Sequence, residues 1–319
     1  MISSDILWHL KTYPLIIIVT FGTSANFLNV LVFTSKLFRS NSASAFMTYL
    51  SLSDATVVLT GTIPTIFSAL NPLNPDLISI SSVSCVLHRF VLFAAGDLSI
   101  WCVMLITIDR FVAVVIPVKL KWWKSKKNVL LIVIFFHFLA LLKNCPTFWT
   151  FTRSAVNDSD SGACLINSNF FIYETKYRAW VSLTTYYIIP TIVMILCNVF
   201  VIWKMNILAK NQTVNASKET HYSKTLTRMS IAITILYITL ITPAIVMWTI
   251  LSLRADINVE IMSIIYSVSD ILVYSHHSCN FILFVLTGGR FRTALKLLFK
   301  CHNKITSNSM DGLSIANKL

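Results

Sequence analysis

Seven mostly apolar runs follow one another along the chain, at about 13–35, 45–70, 82–116, 127–149, 179–206, 222–253 and 259–286. A helix needs about 20 apolar residues to cross a bilayer core of ~30 Å. Inside that core every backbone polar group must find its partner within the structure, which a helix achieves by itself. The expectation is an all-α membrane protein, a seven-transmembrane helix bundle. Composition agrees: charged residues are 12% of the chain, about half the ~25% usual in a soluble domain. The 21 Phe and eight Trp suffice for aromatic belts at both interfaces.

This division gives an N-terminal segment (1–12), the bundle (13–287), a short amphipathic eighth helix on the membrane surface (288–301) and a disordered tail (302–319). The surface helix is predicted because 290–301 carries apolar residues on one side and Lys and Arg on the other. Pro64, Pro190 and Pro243 lie inside apolar runs. An interior proline kinks a helix and frees a carbonyl, which neighbouring helices can satisfy. Residues 1–12 hold Asp5, His9 and Lys11 and show no cleavable signal pattern.

The net charge is +13, but the cations sit in connections between apolar runs rather than in a patch suited to nucleic acid. Odd-numbered connections and the tail are rich in Lys and Arg, with Asp109, Glu219 and Asp311 as their acids. The even-numbered side is balanced. Positive charge flanking the spans faces the cytoplasm, so the N-terminus is expected outside, in a multi-pass protein of the plasma membrane. No cysteine–histidine spacing suggests a metal centre.

Ionisable groups within spans are costly and are functional candidates by default. Asp54, Asp97, Asp109 and Asp270 qualify. Around them the chain resembles the rhodopsin-like G-protein-coupled receptors through all seven runs. Asn26 and Asn29 resemble the first-helix pattern, and Leu50-Ser51-Leu52-Ser53-Asp54 that of the second. Cys85 lies 25 residues before Arg110, the family's spacing from the outer disulfide to the Asp-Arg-Tyr motif. Asp109-Arg110-Phe111, trailing into Ala113-Val114 and Pro117, resembles that motif with Phe for Tyr. Pro190 and Pro243 match the prolines of helices five and six, and Asn280 stands at the Asn-Pro-x-x-Tyr position, with Phe281 and Phe284 replacing Pro and Tyr.

The resemblance implies roles for these residues. Asp109, Arg110 and Phe111 would form the coupling element for a heterotrimeric G protein, Arg110 being held by Asp109 until the sixth helix swings outward. The plainer reading is an interfacial salt bridge that anchors the third helix. Cys85 and Cys164 would form a disulfide on the oxidising side. Asp54, Ser99 and Asn280, with Asn26, would gather a polar network around a sodium ion, beside His276. Two readings stay open there: a sodium pocket, or a His276–Asp54 pair that displaces the ion. No other cofactor is implied. The sixth helix has Ile241 for the usual Trp, Tyr237 for the usual Phe and no acid to lock Arg110, so raised basal signalling is expected.

For the ligand, Leu92 stands where amine receptors place an Asp, and the seventh run has no Lys for retinal. Arg89, Trp248, Asp270 and Tyr274 are pocket candidates; Asp270 could take a ligand cation or pair with Arg89 or His88, and Asp97 is expected to pair with Lys143. The loop 150–178 suits a strand pair, 164–167 with 170–173. Asn157-Asp158-Ser159 is a glycosylation sequon, and Cys301 ends the surface helix where palmitoylation is expected. The Asn-Phe-Ile-Leu-Phe stretch is similar to invertebrate neuropeptide receptors of the FMRFamide-like group, which implies a peptide ligand, a G protein, and arrestin through Ser307, Ser309 and Ser314. A chemosensory receptor for small molecules is the alternative. A seven-span transporter would want inverted repeats or broken helices at the midplane, and an enzyme a catalytic domain in its loops.

Overall fold

The computed structural model describes residues 4–39, 42–71, 77–117, 120–123, 125–155, 162–210, 218–253 and 258–300. Seven long helices follow in order: α1 (Ser4–Thr34), α2 (Ser42–Leu70), α3 (Ser82–Val115), α4 (Lys126–Asn144), α5 (Tyr173–Leu208), α6 (Lys218–Leu253) and α7 (Val259–Thr287). α1 to α6 are each long and apolar enough to span a membrane, and α7 is so together with α8 (Gly289–Lys300), which leaves it at 100°. This is the seven-helix bundle with a short eighth helix that the apolar runs predict.

α3 is the central post. In its apolar window 78% of residues are buried, against 22% in α4 and 17% in α5. The peripheral helices therefore expose apolar side chains that no protein covers. On α4, Leu130, Leu131, Ile134, Phe135, Phe138 and Leu142 point outward, while Val129, Val133 and Ala140 are buried. A helix apolar all round is what a lipid solvent permits.

Capping and close approach set the helix ends. Ser81 accepts from the Ser84 amide at 3.0 Å to start α3, and Asn258 accepts from Glu260 at 2.7 Å to start α7. At the α7–α8 corner a Cβ on Gly288 would lie 2.6 Å from the Phe284 carbonyl oxygen and 2.9 Å from Phe291 Cβ. Only glycine passes there. The corner is fastened by buried Phe33, Phe38, Phe284 and Phe291, whose ring contacts run from 5.0 to 5.6 Å. Phe284 thus replaces the Tyr of the family pattern with a ring in a wholly apolar cluster.

The prolines act where the backbone needs partners. Pro64 cannot donate to the Thr60 carbonyl one turn back, and His88 Nε2 lies 2.6 Å from that oxygen. Pro190 follows the π-helical turn Leu183–Ile188. The Thr185 carbonyl accepts from Trp101 Nε1 at 2.9 Å and the Tyr186 carbonyl from the Tyr237 hydroxyl at 3.0 Å. Side chains of α3 and α6 therefore satisfy what the proline releases. Pro243 lies inside α6.

The connection before α5 differs from expectation. β1 (Phe151–Ala155) pairs antiparallel with β2 (Gly162–Ile166), with Arg153 opposite Cys164. The partner strand thus lies before Cys164, and 170–173 is helical instead. Glu174 and Arg178 are one turn apart and form an ion pair at 2.9 Å, a contact that helical geometry aligns.

Candidate functional site

Polar chemistry is concentrated in three levels of the bundle. At one end, which we call the disulfide end, Cys85 of α3 is bonded to Cys164 of β2 with Cα atoms 5.5 Å apart. The hairpin so pinned borders a cavity of about 1450 Å³. Arg89, Trp248, Asp270 and Tyr274 all line it. The Gly61 backbone leaves room for the Tyr274 ring, with which any Cβ would collide.

One wall of this cavity is a continuous polar chain across α3, α4 and α5. Lys143 Nζ donates to Asp97 at 2.6 Å, the pairing expected from sequence, and Asn144 Nδ2 donates to the other carboxylate oxygen at 2.7 Å. Asn144 accepts in turn from Arg178 at 3.2 Å, and Arg178 donates to Thr147 and Glu174, both at 2.9 Å. The Arg178 guanidinium also lies 4.5 Å over the Phe93 ring. Sequence reasoning does not single out Asn144 or Arg178, because the bonds that join them to each other and to Asp97 and Thr147 cross between elements.

The middle level is built on Asp54, fully buried in α2. Its Oδ1 accepts from Ser99 Oγ at 2.5 Å and lies 2.7 Å from His277 Nδ1, while Oδ2 accepts from Asn280 Nδ2 at 2.8 Å. α2, α3 and α7 are thus joined at one carboxylate. Asn26 of α1 completes the level by donating to the His277 carbonyl at 2.9 Å.

One predicted member is corrected. The histidine beside Asp54 is His277, and His276 faces α6, its ring centroid 5.7 Å from that of Tyr237. Neither His276 ring nitrogen has a hydrogen-bond partner among the described residues. Both histidines lie about one turn before Asn280, so spacing alone could not choose between them. The rotation of α7 against α2 and α6 decides it.

At the opposite, arginine end, Arg110 and Asp109 are both buried and form an ion pair, with Arg110 Nε also donating at 3.0 Å. Asp109 further accepts from Ser42 Oγ at the start of α2 at 2.5 Å and from Trp123 Nε1 at 2.7 Å. A buried carboxylate needs such donors. Sequence reasoning gives no role to Ser42 or Trp123, which lie far from Asp109 along the chain. Phe111 packs edge-on against Phe200 of α5, centroids 6.1 Å apart. Towards α6, Thr107 meets Ser230 at 3.5 Å and Thr234 at 3.4 Å. Asn157 and Cys301, the modification candidates, lie outside the described residues, as do 302–319 and the side chains of Glu219, Ser223 and Lys224.

A cavity beside a disulfide-pinned hairpin at one end, a polar cluster on Asp54 in the middle and a buried Asp109–Arg110 pair at the other end are thus strung along one apolar bundle. The model of the seven transmembrane receptors of the rhodopsin family matches residues 25–284, and the chain belongs to that family. It is accordingly a multi-pass membrane signalling receptor and not an enzyme.

Proposed function

We propose that this receptor carries an extracellular peptide signal to a heterotrimeric G protein at the plasma membrane. The observation behind the ligand reading is the size of the cavity. Pockets for small molecules run to about 300–1,000 Å³, and this one is about 1450 Å³. Its rim and walls carry both signs, with Arg89 and Lys176 near Asp270 and Glu174, which suits a chain with charged side groups and termini better than one small apolar molecule. The resemblance to FMRFamide-like receptors points the same way.

The orientation rests on charge and redox chemistry. The arginine end carries the lysine-rich connections, which belong in the cytoplasm, and a disulfide persists on the oxidising side. The N-terminus is then extracellular. Arg110 is the coupling group: an inward-facing guanidinium, held by Asp109 at rest, is released to the G protein when ligand biases α6 outward. Arrestin is the second cytoplasmic partner, and the bilayer covers the apolar faces of α4 and α5.

Screening an amidated-peptide library on cells expressing the receptor, read by calcium and cyclic nucleotide, tests this. A peptide that evokes a response in the natural protein and none in Arg110→Ala at equal surface expression supports it. Activation by small organic molecules alone overturns the ligand reading, and a full response from Arg110→Ala overturns the coupling role.

A further inference from the structure

The resemblance to rhodopsin-like receptors puts a sodium ion among Asp54, Ser99 and Asn280, and the geometry at Asp54 argues against it. A hard monovalent cation held there would need oxygen ligands, the carboxylate and the Ser99 hydroxyl together. His277 Nδ1 occupies that position, 2.7 Å from Asp54 Oδ1 and 3.1 Å from Ser99 Oγ. A cation bridging the same two oxygens would overlap the imidazole nitrogen. The Nδ1–Oδ1 hydrogen bond engages that edge of the carboxylate, so its lone pair is not free for a cation. The second carboxylate oxygen is already engaged by Asn280.

The backbone that carries the ring is fixed. His277 is wholly buried, and its backbone carbonyl is held by Asn26 from α1. Next to it, Ser278 stands so close to Gly22 of α1 that no side chain would fit at Gly22. α7 is therefore seated against α1 at this residue and the next, and the imidazole meets Asp54 of α2 and Ser99 of α3. His277 also lines the cavity.

We propose that His277 stands in for the cation: the Asp54 carboxylate of this receptor binds no sodium, and the imidazole is the group that excludes it. The full-length receptor, purified in nanodiscs, is heated in NaCl and in KCl at equal ionic strength, which holds general screening constant. The natural protein unfolds at the same temperature in both salts. His277→Ser, or His277→Asn should the first not fold, opens the carboxylate edge and gains a sodium-specific rise on the order of 2–4 °C at tenfold over the dissociation constant. A sodium-specific rise in the natural protein that Asp54→Asn removes would overturn the proposal. So would a folded His277 variant that stays indifferent to sodium, since the imidazole would then not be what excludes the ion.

Discussion

Two buried carboxylates, Asp54 and Asp109, are both wrapped by donors, but the donors come from different places. Those of Asp54 reach across the bundle, from Ser99 on α3 and from His277 and Asn280 on α7. Those of Asp109 are its own neighbour Arg110, Ser42 at the start of α2, and Trp123 in the connection after α3. The first cluster ties a helix that lines the cavity to the static core. Among the described residues the second is closed without α6, which meets α3 near this end through threonine and serine hydroxyls and apolar packing around Leu226, Met229 and Ile233. The contrast is that α7 is tied to α2 and α3 through a buried carboxylate, while α6 meets α3 through neutral hydroxyls and apolar contacts and makes its tyrosine hydroxyl bonds, at Tyr237 and Thr242, with α5.

The comparison can be broken first at its strong side. Asp54→Ala strands three buried donors, and a loss of about 3–5 kcal/mol in unfolding free energy is expected. Thermal and denaturant unfolding of the purified receptor would read it, and a loss below ~1 kcal/mol would mean the cluster is no clamp. Asp109→Asn keeps the shape but removes the charge that holds Arg110. It should cost about 1–2 kcal/mol and raise ligand-free nucleotide exchange on G protein several-fold; unchanged exchange would deny the latch. Trp123→Phe deletes one donor to Asp109, worth about 1 kcal/mol, with a smaller gain in exchange. The smallest effect is expected at His276. Its nitrogens have no partner among the described residues, so His276→Leu should stay within about 1 kcal/mol of the natural protein in either direction. A penalty matching that of His277→Leu would erase the distinction between the two histidines.

Much of this was legible in the sequence because lipid makes a coarse demand. Seven runs gave seven helices, their bounds near those observed except in α1 and α5, each of which begins earlier. Cys85 and Cys164 met, Asp97 found Lys143, and the four pocket candidates line one cavity. What stayed hidden depends on rotation and on pairing across helices. His276 and His277 look alike until α7 is turned against its neighbours. Ser42 and Trp123 serve Asp109 only once α2 and the connection after α3 converge on it. The strand partner of Cys164 was misplaced because Phe170 to Tyr173 reads as β-prone, yet the Glu174–Arg178 turn draws it into helix.

The proposal is a coupling arginine, Arg110, restrained by its own neighbour and, among the described residues, by no ion pair from α6. It is tested by ligand-free nucleotide exchange on purified heterotrimers of each main class, with the receptor in nanodiscs. The account predicts exchange above the receptor-free baseline for at least one class, abolished by Arg110→Ala. Baseline exchange with every class, or wild-type exchange from Arg110→Ala, would contradict it.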